Sequence, residues 1–340
     1  MKMGQLKFRM VFFILLVAPQ FSLSSFAFEF PYHLSAAAPS MYPILNYQVN
    51  IYSPEFNLNV DSVIIPLKRA GRLFLIEAKV GDETGNLVFD SGANGLVLNS
   101  TYFRNHIKSG GSTPTGVTGA VGAVEQIFVN RIEFADLSYK NITCDITNLG
   151  HIENRRDVKI LGLIGFSMMR KLEIVIDARN NQLKLFRIDT KGKRLNSSLP
   201  EFKADHIQKI EGNTNILFLK GKISGKVLNF CFDTGCETNV ICSDCNRSIM
   251  NTLTITGRSG LTGAGSAGSE VLFGRMNDFT IGEKHIPNMD TVITNLSALS
   301  EGYGTKIDGM LGYNFLEQGI ICINFVKRQF GIRFIKAEEK

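Results

Sequence analysis

Short apolar runs separated by polar turns make up most of this chain. Leu73 to Val80 has the alternating pattern of a half-buried strand and ends at Gly81-Asp82, a turn signal. Leu87 to Phe89 is a shorter run of the buried-strand type. Short helices are predicted only over Ser100 to Ile107 and Ser243 to Met250, and no long segment has a period of 3.6 residues. The pattern therefore predicts an all-β fold of short strands, as in a small barrel or sandwich.

Two pairs of apolar runs predict β-hairpins. Leu172 to Ile176 and Leu183 to Phe186 are joined by the polar stretch 177–181. Ile320 to Phe325 and Phe330 to Phe334 repeat this layout near the end of the chain. Hairpins at corresponding places suggest that the chain contains an internal repeat.

The second half of the chain does repeat the first. The matching segments are Asn86–Ala93 with Asn229–Cys236 (offset 143), Gly116–Ala120 with Gly260–Ala264 (offset 144), Ile146–Leu149 with Ile293–Leu296 (offset 147), and Leu163–Phe166 with Met310–Tyr313 (offset 147). All four keep their order, and chance rarely produces four matches in register. We therefore expect a tandem duplication over 64–188 and 207–335, joined by a polar linker at 189–206, with 28–63 as an N-terminal extension or an extra strand.

The first 27 residues have the layout of a signal peptide. Lys2, Lys7 and Arg9 form a positive start, and the apolar run from Met10 to Ala18 is too short to span a membrane. Ser25-Phe26-Ala27 places small residues where a signal peptidase cuts. We expect residues 1–27 to be removed and the protein to be periplasmic or secreted; an uncleaved membrane anchor is the alternative.

Composition and charge exclude several classes of function. With 340 residues, 44% of them apolar, the chain can form about two ordinary domains. The net charge of +6 is mild, and no basic run is long enough to form a nucleic-acid arm, so we expect no nucleic-acid partner.

Cys242-x-x-Cys245 has no second CxxC and no well-spaced His, so we expect no metal site and no cofactor. The six cysteines are expected to be mostly buried thiols, with one bridge at most: Cys144, Cys231, Cys236, Cys242, Cys245 and Cys322.

Each repeat contains an Asp directly after an apolar strand and directly before a hydroxyl residue and a Gly. The two turns are Asp90-Ser91-Gly92 and Asp233-Thr234-Gly235. The Gly permits a tight backbone path, and the hydroxyl of Ser91 or Thr234 can bond to the backbone of the other copy. If the copies pack about a pseudo-twofold axis, the two Asp residues meet on that axis. A single turn of this kind is common, whereas two at matching repeat positions favour a shared catalytic site.

Two carboxyl groups in contact cannot both ionise cheaply. They share a proton and titrate in two separate steps, as is established for aspartic proteases. One member then acts as a base towards a water molecule, and the other acts as an acid towards the scissile carbonyl. Such a combination is what peptide hydrolysis needs when it uses neither a metal ion nor a covalent intermediate.

These motifs resemble those of the retropepsin-like aspartic peptidases. Phe89–Ala93 and Phe232–Cys236 are similar to that family's catalytic turns. Ile160–Gly165 and Ile307–Gly312 resemble its second hallmark, two hydrophobic residues followed by Gly, which crosses behind the Asp loop. The resemblance covers about 64–335. It implies an aspartic endopeptidase, monomeric, with two retropepsin-like β-barrel lobes related by a pseudo-twofold axis, a peptide or protein substrate, and Asp90 and Asp233 as the catalytic pair.

Glycine-rich segments follow each Asp by about 30 residues. At this position the resemblance implies flaps that close over an extended peptide. The candidate flap residues are Gly116, Thr118, Gly119, Gly260, Thr262 and Gly263.

The residue after each catalytic Gly departs from the pepsin-type pattern. It is Ala93 in one copy and Cys236 in the other, where pepsin-type enzymes carry a hydroxyl donor. Loss of that donor is expected to raise the pKa of the pair and to move the pH optimum towards mild acid.

Other functions compete with the peptidase hypothesis. Gly263 to Gly268 matches GxGxxG, but a strand-like segment follows it where a dinucleotide site needs a helix. A catalytically silent protein that binds peptides in the same cleft is a second hypothesis, which two intact Asp residues disfavour. A zymogen blocked by 28–63 and a hydrolase acting on a substrate other than a peptide are further alternatives.

Overall fold

The computed structural model describes residues 52–56, 60–93, 95–104, 108–112, 115–116, 119–120, 124–211, 216–261 and 269–335. Strands dominate these ranges, and the longest helices in them have 7 residues. None of these helices has the length and apolar character needed to cross a membrane. The predicted all-β fold is confirmed.

The strands divide between the two halves of the chain. Those of the first half are β1 (Glu55–Phe56), β2 (Ser62–Pro66), β3 (Lys68–Ala70), β4 (Leu73–Val80), β5 (Glu83–Phe89), β6 (Leu96–Asn99), β7 (Lys108–Ser112), β8 (Thr115–Gly116), β9 (Gly119–Ala120), β10 (Val124–Phe134), β11 (Leu137–Thr147), β12 (Ile160–Ile164), β13 (Leu172–Asp177) and β14 (Gln182–Arg187). Those of the second half are β15 (His206–Lys209), β16 (Leu217–Ile223), β17 (Lys226–Phe232), β18 (Asn239–Cys242), β19 (Leu253–Leu261), β20 (Ser269–Met276), β21 (Phe279–Ile281), β22 (Lys284–Ile286), β23 (Met289–Thr294), β24 (Gly309–Leu311), β25 (Gly319–Asn324) and β26 (Gln329–Phe334). The helices are α1 (Gly150–Arg156), the 3-10 helix Phe166–Met169, α2 (Arg247–Met250), α3 (Ser297–Tyr303) and α4 (Tyr313–Leu316).

A closed six-stranded barrel forms the body of the first half. Its strands pair in the order β11-β6-β12-β5-β4-β10, and β10 pairs back with β11 to complete the ring. Strand β10 closes it by reaching two neighbours, since its Ile132 and Glu133 pair with Val80 and Lys79 of β4 while most of its length pairs with β11. Closure leaves these six strands without an open edge.

The second half has the same central pairings in a more open form. Strand β24 lies parallel to β17 and antiparallel to β18, and β18 lies parallel to β23. In the first half, β12 likewise lies parallel to β5 and antiparallel to β6, and β6 lies parallel to β11. Asn277-Asp278 separates β20 from β21, and Pro287-Asn288 separates β22 from β23. Proline lacks the N–H that a continuous ladder needs, and Asn288 has a φ of 60°. The result is a half-barrel rather than a closed ring.

A third sheet of six strands joins the two halves. Its order is β15-β26-β25-β13-β14-β2, so each half contributes three strands. At its centre Ile174 lies opposite Ile323 and Ile176 opposite Ile321. Ile174 and Ile321 are 147 residues apart, as are Ile176 and Ile323, and this matches the offset of the predicted repeat. Reciprocal pairing at this offset is what a twofold relation between the halves would produce. Strand β2 belongs to this sheet and begins at Ser62, inside the segment predicted as an N-terminal extension.

One hydrophobic core extends through both halves beside this joining sheet. The Phe166 ring lies nearly parallel to that of Phe232, with centroids 6.3 Å apart and planes 2° apart. It also meets Phe89 and Phe325 edge-on, at 6.0 and 5.5 Å. Because Phe89 and Phe232 directly precede the two Asp turns, the core packs against both turns.

Most locally predicted elements are confirmed. The two hairpins are β13–β14 and β25–β26, and α2 lies within the segment predicted as the second short helix. The helix predicted over Ser100 to Ile107 is wrong for its described residues, 100–104, which form turns. The Ser100 N–H donates to Thr147 O at 2.8 Å, and Asn99 Oδ1 accepts from the Thr101 N–H at 3.2 Å. These bonds hold the backbone in a turn after β6.

Replacement of Phe166 by Ala should destabilise both halves together. Phe166 is fully buried among aromatic rings from each half, so we expect a loss of about 3 to 5 kcal/mol in the free energy of unfolding. Urea unfolding followed by circular dichroism measures this loss. Phe128→Ala is the control, because Phe128 is 48% exposed; equal losses for the two variants would contradict a shared core at Phe166.

Candidate active site

Each Asp turn begins where a central strand ends. Asp90 follows β5 and Asp233 follows β17, and their N–H groups donate to Ile164 O and Leu311 O, both at 3.0 Å. Ile164 and Leu311 end the strands β12 and β24, which run parallel to β5 and β17. The segments predicted to cross behind the turns therefore hold them in place. Both Asp residues are buried, with 1% and 0% of their surface exposed.

The structure brings the two carboxyl groups together. The Gly92 N–H donates to Asp90 Oδ1 at 2.9 Å and also reaches Asp233 Oδ1 at 3.2 Å, while the Gly235 N–H donates to Asp233 Oδ1 at 2.9 Å. A Cβ on Gly235 would lie 2.5 Å from Asp90 Cγ, and one on Gly92 would lie 2.8 Å from Asp233 Cγ. Both distances are shorter than any van der Waals contact, so only glycine permits the carboxyl groups to approach.

Ser91 and Thr234 lock the turns together through a reciprocal set of hydrogen bonds. The Ser91 N–H donates to Thr234 Oγ1 and the Thr234 N–H donates to Ser91 Oγ, both at 2.9 Å. Each hydroxyl then donates to the strand of the other half, Ser91 Oγ to Phe232 O at 3.1 Å and Thr234 Oγ1 to Phe89 O at 2.7 Å. The cross-bonding predicted from the sequence thus occurs in both directions.

Burial and mutual repulsion raise the affinity of this pair for protons. Burial raises the pKa of Asp90 well above its usual value, and the nearby charge and hydrogen bond of Asp233 raise that pKa further. Burial also raises the pKa of Asp233, to about 6, although the N–H of Gly235, the hydrogen bond with Asp90 and the N–H of Gly92 oppose the shift. The two carboxyl groups therefore titrate as a pair, which keeps one shared proton to a higher pH than an exposed Asp would. Asp233 Oδ2 is buried and has no hydrogen-bond partner in the described part of the protein.

The residues after the two glycines give the pair no side-chain donor. The Ala93 N–H reaches Asp90 Oδ1 at 3.2 Å, but its methyl group lies in the core. The Cys236 thiol donates to Thr238 O at 2.8 Å rather than to a carboxylate. This arrangement agrees with the raised pKa expected from the sequence. All six cysteines are unpaired thiols, so the one bridge that the sequence allowed is not formed.

An ion pair between the halves, which the sequence did not predict, braces the second turn. Glu237 follows Asp233 by four residues, and its Oε2 lies 2.7 Å from Arg156 Nη2 of helix α1 in the first half. Both side chains are largely buried, at 10% and 15% exposure. The Arg72 N–H also donates to Glu237 Oε1, at 3.3 Å. An acidic residue just after the turn was the only sequence signal, because Arg156 lies 81 residues away.

The described glycines of the two glycine-rich segments lie in paired strands. Gly116 and Gly119 pair with each other in β8–β9, and β8 lies beside helix α3 of the second half. Gly260 pairs with Glu270 in the β19–β20 hairpin. The other candidate flap residues lie outside the described part of the chain: Thr118, Thr262 and Gly263.

Comparison with known families agrees with this geometry. Residues 219–315 match the model of a family described as aspartyl protease. The match supports an aspartic protease family and an aspartic-protease-like function for the chain. It includes Asp233 and most of the second half, whereas Asp90 lies outside it. No curated protein matches the chain.

Removal of the Thr234 hydroxyl should destabilise the protein more than removal of its methyl group. Thr234→Ala leaves the Ser91 N–H and Phe89 O without partners in a buried place, so we expect a loss of about 2 to 4 kcal/mol in the free energy of unfolding. Thr234→Ser keeps both bonds and is expected to lose less than about 1.5 kcal/mol. Urea unfolding compares the two variants, and similar losses would show that the cross-bonds contribute little.

Asp233→Asn should stabilise the protein at neutral pH and have little effect at acidic pH. A carboxyl with a raised folded-state pKa contributes most stability below its unfolded pKa of 3.8, and this contribution is lost as pH rises through about 6. Asn has no charge to bury, so the variant avoids that loss, which is on the order of 2 to 3 kcal/mol. We expect the variant's melting temperature to exceed that of the wild type by several degrees at about pH 7.5, and the excess to shrink at about pH 4. Asp82→Asn, at an exposed turn, is the matched control; a difference independent of pH would contradict the raised pKa.

Proposed function

We propose that this protein is a retropepsin-like aspartic endopeptidase in which Asp90 and Asp233 form one catalytic pair. The observation that supports this most is the contact of two buried carboxyl groups, one from each half, held by reciprocal hydrogen bonds. A binding protein has no need for such an arrangement, because it destabilises the fold at neutral pH.

Each carboxyl group has a distinct role in the proposed reaction. Asp233, whose pKa burial raises to about 6, acts as the base when it is ionised and accepts a hydrogen bond from the attacking water. Asp90 keeps its proton and donates to the carbonyl oxygen of the scissile peptide. Water adds to the carbonyl carbon as its proton passes to Asp233. Asp233 then passes that proton to the leaving nitrogen as the C–N bond breaks. The hydroxyl formed on the former carbonyl oxygen returns its proton to Asp90, which restores the starting state of the pair.

The substrate is proposed to be an extended peptide segment. The hairpins that contain Gly116, Gly119 and Gly260 are the proposed flaps, and β8 extends to helix α3 in the other half. Flaps of this kind exclude water and bind the peptide backbone through hydrogen bonds, which suits many sequences. We propose that the enzyme acts as a monomer after export, in a periplasm or outside the cell.

Single substitutions of either Asp should abolish peptide hydrolysis. Residues 28–340 and the variants Asp90→Asn and Asp233→Asn are assayed on a denatured protein mixture from about pH 3 to pH 8, with and without pepstatin. We expect each variant to lose activity on the order of 10³-fold and Asp82→Asn to keep it. In the wild type, activity should rise as pH increases through about 6, because Asp233 must be ionised to act as the base.

The alternatives make different predictions for the same assay. A folded wild type that cuts nothing would favour the silent peptide-binding protein or the zymogen. One Asp variant with full activity would show that the two residues do not share a site. An optimum near pH 2 would contradict the assignment of raised pKa values to the pair.

A further inference from the structure

A basic surface lies beside the joining sheet, separated from the Asp pair by the aromatic core. Two turns form its centre. The first, 189–193, is held by Asp189 Oδ1, which accepts from the N–H groups of Lys191 and Lys193, both at 2.8 Å. The second turn is 325–328, and Asn324 just before it links the two. Its Nδ2 donates to Gly192 O of the first turn at 2.9 Å, and its Oδ1 accepts from the Lys327 N–H at 3.0 Å. The side chains of Lys191, Lys193 and Lys327 are all exposed.

Further cations extend this surface. The Arg170 guanidinium lies over the Phe325 ring, 4.6 Å from its centroid, close enough to Arg328 for their charges to interact. Lys171 and Arg187 line an adjoining cavity of about 410 Å³. We call this surface the basic face, and its cations are Arg170, Lys171, Arg187, Lys191, Lys193, Lys327 and Arg328.

Four acidic side chains near the basic face have partners, and a fifth, the exposed Glu201, lines a neighbouring cavity with Lys327. Glu173 pairs with Arg194 at 2.6 Å, and both are largely buried. Asp61 lies 3.6 Å from Arg187, and Glu55 lies 2.7 Å from Lys140. Asp189 is engaged by its own turn. The basic face therefore presents a surplus of positive charge to whatever approaches it.

Exposed apolar side chains distinguish a lipid surface from other anionic partners. Leu195 and Val326 are 48% and 41% exposed among these cations, and Leu195 lines the same cavity as Lys171. Cations mixed with exposed apolar side chains suit the interface of an anionic bilayer.

We propose that the basic face docks the protein on an anionic phospholipid bilayer. The joining sheet and the core around Phe166 then lie between the lipid and the Asp pair, so the catalytic turns point away from the membrane. This docking is independent of peptide hydrolysis and is expected whether or not the N-terminal segment remains attached.

Vesicle binding by charge-matched variants tests this proposal. Residues 28–340, which include every described residue, are sedimented with phosphatidylcholine vesicles that contain either no anionic lipid or about 30% phosphatidylglycerol. We expect binding to the anionic vesicles only, and weaker binding in high salt. The triple variant Lys191→Ala, Lys193→Ala, Lys327→Ala should bind at least about tenfold more weakly. The control triple variant Lys79→Ala, Lys222→Ala, Lys226→Ala removes the same charge from exposed positions on β4, β16 and β17 and should bind like the wild type.

The apolar positions separate a lipid surface from a general polyanion site. Leu195→Ser with Val326→Ser should weaken vesicle binding while leaving the retention of the protein on heparin unchanged. Equal weakening by the two lysine triple variants would overturn the proposal, because net charge alone would then explain binding. Wild-type binding by the Leu195 and Val326 double variant, or equal binding to neutral vesicles, would overturn it as well.

Discussion

The contact between two carboxyl groups inside the protein is the constraint on which the rest of this structure depends. Neither Asp90 nor Asp233 would remain near a like charge without support, since burial and repulsion both oppose ionisation. Four structural features supply this support. Glycines allow the approach, crossed hydroxyl bonds fix the turns, parallel strands hold the turns from behind, and an aromatic core packs beneath them.

The two halves contribute unequally to this arrangement. The first is a closed barrel, whereas Pro287-Asn288 and Asn277-Asp278 interrupt the corresponding strands of the second. The second turn is braced from the first half by Arg156 through Glu237. The surroundings of the two carboxyl groups therefore differ, although burial raises the pKa of both.

Sequence reasoning predicted the features that depend on neighbours along the chain or on the repeat. The turns at Asp90 and Asp233, the two hairpins and the crossing strands follow from short motifs that occur twice. The Glu237–Arg156 pair could not be predicted, because a contact between residues 81 positions apart has no local pattern. The helix predicted near Ser100 was wrong because Asn99 and Thr147 offer its backbone other partners. The duplication itself stays a prediction, since the family match covers 219–315 alone.

The central pairing of β13 with β25 also sets when the Asp pair can form. During synthesis Asp90 is made first, but its partner turn follows 143 residues later and β25 lies close to the end of the chain. A partial chain thus has one carboxyl group, half of the crossed bonds and an incomplete joining sheet. The order of translation therefore delays assembly of the proposed catalytic pair until β25 has been made.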